Sequence, residues 1–142
     1  MRRGFALIEL TLVLAIIAVL MALALPRFAT WHDRWLVSRA GHEVAVFYQG
    51  ARFGAISRAT RVRLELSGDS LLAVYEGARD SVFHVWPGPA PDGVTLVATR
   101  PILRIGPTGL GFGAANTKIL LSRGEASESL TTSRLGRLKR WR

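Results

Sequence analysis

Residues 4–25 form an unbroken apolar run, GFALIELTLVLAIIAVLMALAL, that holds a single carboxylate, Glu9. About 20 apolar residues rising ~1.5 Å each match a hydrocarbon core of roughly 30 Å, so the run can cross a membrane as one helix. A charged glutamate inside such a helix costs roughly 2.5 kcal/mol or more, which marks Glu9 as a functional group that needs a partner. The residues before the run, Met1-Arg2-Arg3-Gly4, are a very short basic leader, and Gly4-Phe5 is a small-to-aromatic step at its start.

Three fates are open to such a segment. It can be a cleaved secretory signal peptide, with Ala22-Leu23-Ala24 as the small-x-small site, although its apolar part exceeds the roughly 7–15 residues usual there. It can be a plain N-terminal anchor. The third reading rests on resemblance. Gly4-Phe5-Ala6-Leu7-Ile8-Glu9-Leu10, followed by Thr11-Leu12-Val13-Leu14-Ala15-Ile16-Ile17, resembles the class III leader of type IV pilins and type II secretion pseudopilins. That resemblance implies cleavage by prepilin peptidase between Gly4 and Phe5, methylation of the new N-terminal Phe5, and polymerisation through the retained helix. The physics of the motif agrees. Cleavage would leave an α-amino group on Phe5, and in a bundle of such helices one chain's Glu9 can meet a neighbour's amine. In a low dielectric that pair is worth far more than in water and sets the register between subunits.

The 142 residues leave one small domain behind the apolar run. The chain has no cysteine, which excludes a disulfide framework and a thiolate metal site. Its net charge is +9, strong for this length, and it stays basic without Arg2 and Arg3.

Beyond Leu25 the pattern predicts a continuing helix, with Pro26 as a kink. From Phe28 to about Ala59 it turns amphipathic. Phe28, Trp31, Trp35, Val44, Phe47, Ala51, Phe53 and Ile56 are the expected core face, and Arg27, Asp33, Arg34, Arg39, Glu43, Arg52 and Arg58 fill the other faces. Gly41, Gly50 and Gly54 weaken helix propensity there.

Thereafter the chain reads as β. Arg61–Leu66 alternates strictly, Ser67-Gly68-Asp69 makes a turn, and Leu71–Tyr75 returns as the hairpin partner. Ser81–Trp86, Val94–Val97, Ile102–Ile105 and Lys118–Leu121 are further strands. Pro87–Gly93 and Gly106–Gly113 are loops, and the last strand runs through Leu130–Ser133 or from Leu135 to Trp141. The expected fold class is α+β: a pilin-like long N-terminal helix, transmembrane in its first half and amphipathic in its second, packed on an antiparallel β-sheet domain. The domains are then 1–4 leader, 5–25 transmembrane and assembly helix, 26–59 amphipathic continuation, and 60–142 β-rich periplasmic domain.

Three downstream segments narrow the resemblance to the GspH/FimT group. They are Ala51-Arg52-Phe53-Gly54-Ala55-Ile56-Ser57-Arg58, Ile105-Gly106-Pro107-Thr108-Gly109, and Ser133-Arg134-Leu135-Gly136-Arg137-Leu138. The resemblance implies a single-pass bacterial inner-membrane protein with a periplasmic domain. Its partners would be other pilins or pseudopilins, prepilin peptidase and the inner membrane.

No catalytic constellation is visible. His32, His42 and His84 lack metal-ligand spacing, Ser57 and Ser81 have no evident base, and no Lys-Ser/Thr follows the glycines of 106–113. The chain is therefore expected to be no enzyme and to carry no cofactor or metal.

The second informative region is 134–142, where Arg134, Arg137, Lys139, Arg140 and Arg142 place five cations in nine residues around Trp141. Such a strip can neutralise phosphates, and the indole offers a face for a base. The FimT side of the family is associated with DNA capture through a basic tail carrying a glycine-arginine pair, so Gly136-Arg137 makes these five cations candidate DNA-binding residues. The competing reading is a solvated strand edge blunted by charge.

Overall fold

The computed structural model describes residues 7–77, 79–113 and 115–141. One helix, α1 (Leu7–Ser57, 51 residues), opens the chain. By compactness the chain forms two units, Met1–His32 and Asp33–Arg142.

In the first unit every described residue up to Ala29 is exposed, the apolar ones included. The segment is long and apolar enough to cross a membrane, and none of its most apolar window is covered by the rest of the chain.

The second unit owns a core. On α1 the buried residues are Leu36, Val37, Ala40, Gly41, Val44, Phe47, Tyr48, Ala51, Gly54 and Ala55. Their spacing of three and four is the stripe that a 3.6-residue period aligns on one face. Of the core face read from sequence, Val44, Phe47 and Ala51 are buried, whereas Trp35, Phe53 and Ile56 of this unit are exposed. Phe28 and Trp31 of the first unit are exposed as well. The reason is closeness of approach. A Cβ on Gly54 would stand 2.9 Å from the Phe83 ring, and one on Gly41 would stand 2.8 Å from Glu128 Oε1. The face that meets the sheets therefore has small residues at its closest approaches, with Phe47 and Tyr48 filling the wider gaps, while Trp35 and Phe53 lie outside it. The helix ends at Ser57 rather than Ala59, and Thr60 N–H donates back to the Ala55 carbonyl (3.1 Å).

Nine strands follow: β1 (Arg61–Leu66), β2 (Leu71–Glu76), β3 (Ser81–Trp86), β4 (Thr95–Ala98), β5 (Ile102–Ile105), β6 (Gly111–Phe112), β7 (Lys118–Arg123), β8 (Ala126–Thr132) and β9 (Leu138–Trp141). They pair antiparallel into two sheets rather than one, of order β3-β2-β1-β5-β6 and β4-β7-β8-β9. The predicted β1–β2 hairpin forms, with Leu64 opposite Ala73 and Leu66 opposite Leu71. β6 lies in the stretch expected to be loop. The two alternatives for the last strand are both occupied, one by β8 and the other by β9, joined by a turn in which Ser133 N–H donates to the Arg137 carbonyl.

The inward residues Val62, Leu64, Leu103, Ile105, Ile119, Leu121 and Leu130 pack with the helix stripe as one core. The outward face of the first sheet is an ion lattice. Arg63 reaches Glu65 (2.9 Å), Asp80 (2.7 Å) and Glu76 (3.6 Å), and Arg104 reaches Glu76 (2.9 Å). The Arg63 guanidinium, and after it the Gly77 N–H, hold the Asp80 carboxyl below its ordinary value.

Core burial sets the expected stability pattern. Leu64→Ala should cost about 2–5 kcal/mol, while Leu120→Ala on the outer face should stay within about 0.5 kcal/mol. Denaturant unfolding of the detergent-solubilised chain checks both.

Candidate assembly helix and basic strand

Glu9 lies in the first turn of α1, exposed among exposed apolar side chains, and no ion pair among the described residues includes it. Gly4 and Phe5, the expected cleavage and methylation positions, and Arg142 of the basic segment lie outside the described residues. The helix runs unbroken through Pro26. Proline has no N–H to give to the carbonyl of Ala22, and the Thr30 hydroxyl donates to the Pro26 carbonyl one turn on (3.1 Å).

The basic segment is divided by strand geometry. In β9 successive side chains point to opposite faces. Arg140 turns inward, where its Nε meets Glu128 Oε1 at 2.5 Å and its NH2 donates to the Ser38 carbonyl at 3.0 Å. Glu128 is only 3% exposed and the Arg140 side chain 26%. Arg140 is therefore a tie between β8, β9 and α1, not the free cation expected. Gly41 makes room for the pair. Sequence reasoning missed Glu128, although the pattern ASESLTT places it in phase with Ala126, Leu130 and Thr132, all buried.

Lys139 and Trp141 face outward. The Lys139 ammonium sits 3.5 Å from the indole centroid, and the indole N–H donates to the Thr131 hydroxyl (3.2 Å). One face of the ring expected to stack a base is thus already capped by a cation. Lys118, Thr131 and Lys139 form one cross-strand row. Both lysines of the chain therefore share the outer face of the second sheet, and among the described strand residues no carboxylate stands on that face. Arg134 and Arg137 are exposed in the β8–β9 turn. Arg134 donates to the Gly113 carbonyl (3.3 Å), and no ion pair among the described residues includes either.

The three short motifs separated in sequence meet in space. Arg52 of α1 donates from Nε to the Gly109 carbonyl (3.0 Å). A Cβ on Gly136 would stand 2.6 Å from that same oxygen and 2.9 Å from Arg52 Nε. Gly109 and Gly136 both hold positive φ, +75° and +73°. The Gly136-Arg137 pair thus carries a docked turn, whose glycine is required by space and backbone conformation. Burial pushes the Tyr48 phenol up, one turn before Arg52, whose charge pulls it partly back.

Elsewhere His84 stacks on Phe47 (4.9 Å between centroids) and His32 on Phe28 (6.4 Å). No group of three His, Cys, Asp or Glu side chains among the described residues is placed to hold a metal ion.

A long N-terminal helix laid on antiparallel sheets defines the type IV pilin-like fold, α+β in class. The solved structures with this fold include the type IV minor pilin FimU of Pseudomonas aeruginosa in two crystal forms. One has 16% identity and a TM-score of 0.64, covering 77% of this chain and 90% of that one. The other has 14% identity and a TM-score of 0.62, covering 74% and 92%. No protein-family model matches the chain, and neither does any curated protein sequence.

The division of the basic segment has a measurable consequence. Arg140→Ala removes the guanidinium from the buried Glu128 and should cost about 2–4 kcal/mol, the partial exposure of Arg140 moderating the usual penalty. Arg137→Ala should stay within about 0.5 kcal/mol. Replacing both members, Glu128→Leu with Arg140→Leu, should recover most of the loss, which a double-mutant unfolding cycle reads directly.

Proposed function

We propose that this chain is a pilin-type subunit of the GspH/FimT kind: a single-pass inner-membrane protein whose apolar helix anchors it and then assembles it into a filament. Prepilin peptidase cuts between Gly4 and Phe5, the new N-terminus is methylated, and Glu9 pairs with the amine of a neighbouring subunit. Pro26 loosens the helix where it leaves the membrane. The filament is a type II secretion pseudopilus or a type IV pilus-like fibre, and the chain's role in it is structural rather than enzymatic.

One observation carries this reading. The domain after His32 satisfies its own core, while the whole apolar segment before it remains uncovered on the same helix. Such a segment needs lipid first and other apolar helices afterwards. The likeness in fold to the type IV minor pilin FimU agrees with it.

The test is mass analysis of the membrane-extracted chain together with filament recovery. A mature chain should start at Phe5 with one added methyl group. Glu9→Val should remain in the membrane but disappear from sheared filaments and abolish secretion, whereas Arg137→Ala should do neither. A mature chain starting at Leu25 or Pro26 would refute the reading.

A second reading is a minor pilin that grips DNA for uptake. It is favoured by Arg134 and Arg137, exposed and in no ion pair among the described residues, beside a sheet face whose described strand residues include both lysines and no acid. Arg134→Ala with Arg137→Ala should abolish a salt-sensitive mobility shift of the detergent-solubilised chain while leaving its unfolding curve unchanged. Absence of any shift for the unmodified chain at low salt would end this reading.

A further inference from the structure

The last turns of the first unit combine features that the core does not use. Phe28 is 63% exposed and Trp31 60%, with ring centroids 6.0 Å apart. They lie three residues apart, hence on one side of the helix. Arg27 beside them is exposed, and none of the ion pairs among the described residues includes it.

Their height along the helix is the decisive quantity. About 20 residues counted from Leu7 fill a ~30 Å hydrocarbon core and end at Pro26. Arg27, Phe28 and Trp31 then fall within about 8 Å beyond that boundary, the depth of one headgroup layer. Indole rings favour this layer, and a guanidinium matches phosphate oxygens in geometry and charge.

We propose that Arg27, Phe28 and Trp31 form an interfacial belt that seats the outer end of the helix in the phosphate headgroups of an anionic phospholipid leaflet. The proposal rests on the membrane-anchor reading above. A second copy lying in register is a poorer occupant. The nearest carboxylates along its helix are Asp33, already bonded to Arg123 (2.7 Å), and Glu9, about 27 Å along the axis from Arg27.

The belt also sets the position of Glu9. Trp31 lies 22 residues beyond it, about 33 Å along the helix, so a headgroup position for Trp31 puts Glu9 at the opposite boundary of the hydrocarbon core. There the carboxylate reaches water, and the cost of an acid at mid-membrane does not arise.

The experiment uses the full-length chain in vesicles of phosphatidylglycerol and phosphatidylcholine brominated at a shallow or a deep acyl carbon. One variant keeps Trp31 as its only tryptophan (Trp35→Phe, Trp86→Phe, Trp141→Phe). A second moves the reporter into the apolar run (Trp31→Phe with Ile16→Trp in that background). Trp31 should be quenched most by shallow bromines and the Ile16 reporter by deep ones. Arg27→Gln should weaken the preference of the Trp31 signal for phosphatidylglycerol about threefold to fivefold. Strongest quenching of Trp31 by deep bromines, or none by either, overturns the belt while a deep-quenched Ile16 reporter leaves the anchor intact. An unquenched Ile16 reporter overturns the anchor itself. Quenching of Trp31 that vanishes as protein is added at fixed lipid assigns the rings to a neighbouring helix instead. A phosphatidylglycerol preference unchanged by Arg27→Gln removes the arginine–phosphate contact.

Discussion

The closeness with which two sheets lie on α1 governs the rest of the second unit. The contact face is Ala40, Gly41, Val44, Phe47, Ala51, Gly54 and Ala55, and its small members let the Phe83 ring and the Glu128–Arg140 pair approach the helix axis. Each such glycine weakens an isolated helix by up to ~1 kcal/mol relative to alanine. The loss is offset by packing that a larger side chain would forbid, since helix stability in a folded protein comes mostly from the buried face. One consequence reaches the surface. With glycine and alanine needed at the closest approaches, Trp35, Phe53 and Ile56 lie off the contact face and are left facing solvent.

The Glu128–Arg140 pair shows how the same geometry treats charge. A carboxylate 3% exposed is tolerated because the Arg140 guanidinium bonds to it and is itself held by the Ser38 carbonyl of the helix. A pair of leucines could fill the volume with less desolvation, so the ion pair gives specificity of placement more than net stability. It fixes β9 in one register, because a shift by one residue would send Arg140 outward and bring Lys139 in. The outward set is then Lys139 and Trp141, the ring already covered by the ammonium.

Much of this was legible in the sequence. The apolar run, the alternation of Arg61–Leu66 and the hairpin to Leu71–Tyr75 are patterns that strand and helix periods impose directly. What escaped was whatever depends on which faces meet. Hydrophobicity ranked Phe53 and Trp35 above Gly41 and Gly54 as core residues, yet contact distance chose the glycines. Five cations in nine residues looked like one patch, whereas β9 turns Arg140 inward and Lys139 outward and Arg134 and Arg137 lie in the turn before it, and only an acid two residues from a buried leucine hinted at the inward partner. Gly109 and Gly136 were read as motif members in order, while their purpose, a shared close approach to Arg52, is a long-range relation that no local pattern encodes.

The apolar segment places a further demand on any assembly built from this chain. Lipid satisfies its side chains from all directions at no ordering cost to a partner, so leaving the bilayer is favourable only when other helices cover them as completely. Van der Waals fit alone replaces lipid contacts nearly one for one. The surplus must therefore come from polar groups that gain on transfer. In the assembly proposed above, Glu9 would lose hydration on entering a bundle, and a neighbour's cation would compensate that loss. Such pairing would be stringent, because a subunit displaced by one turn would leave the acid unpaired in an apolar surround. On the proposed function, affinity for the membrane and fidelity of assembly would be set by different residues on one helix: the aliphatic side chains would tune the first and the carboxylate of Glu9 the second.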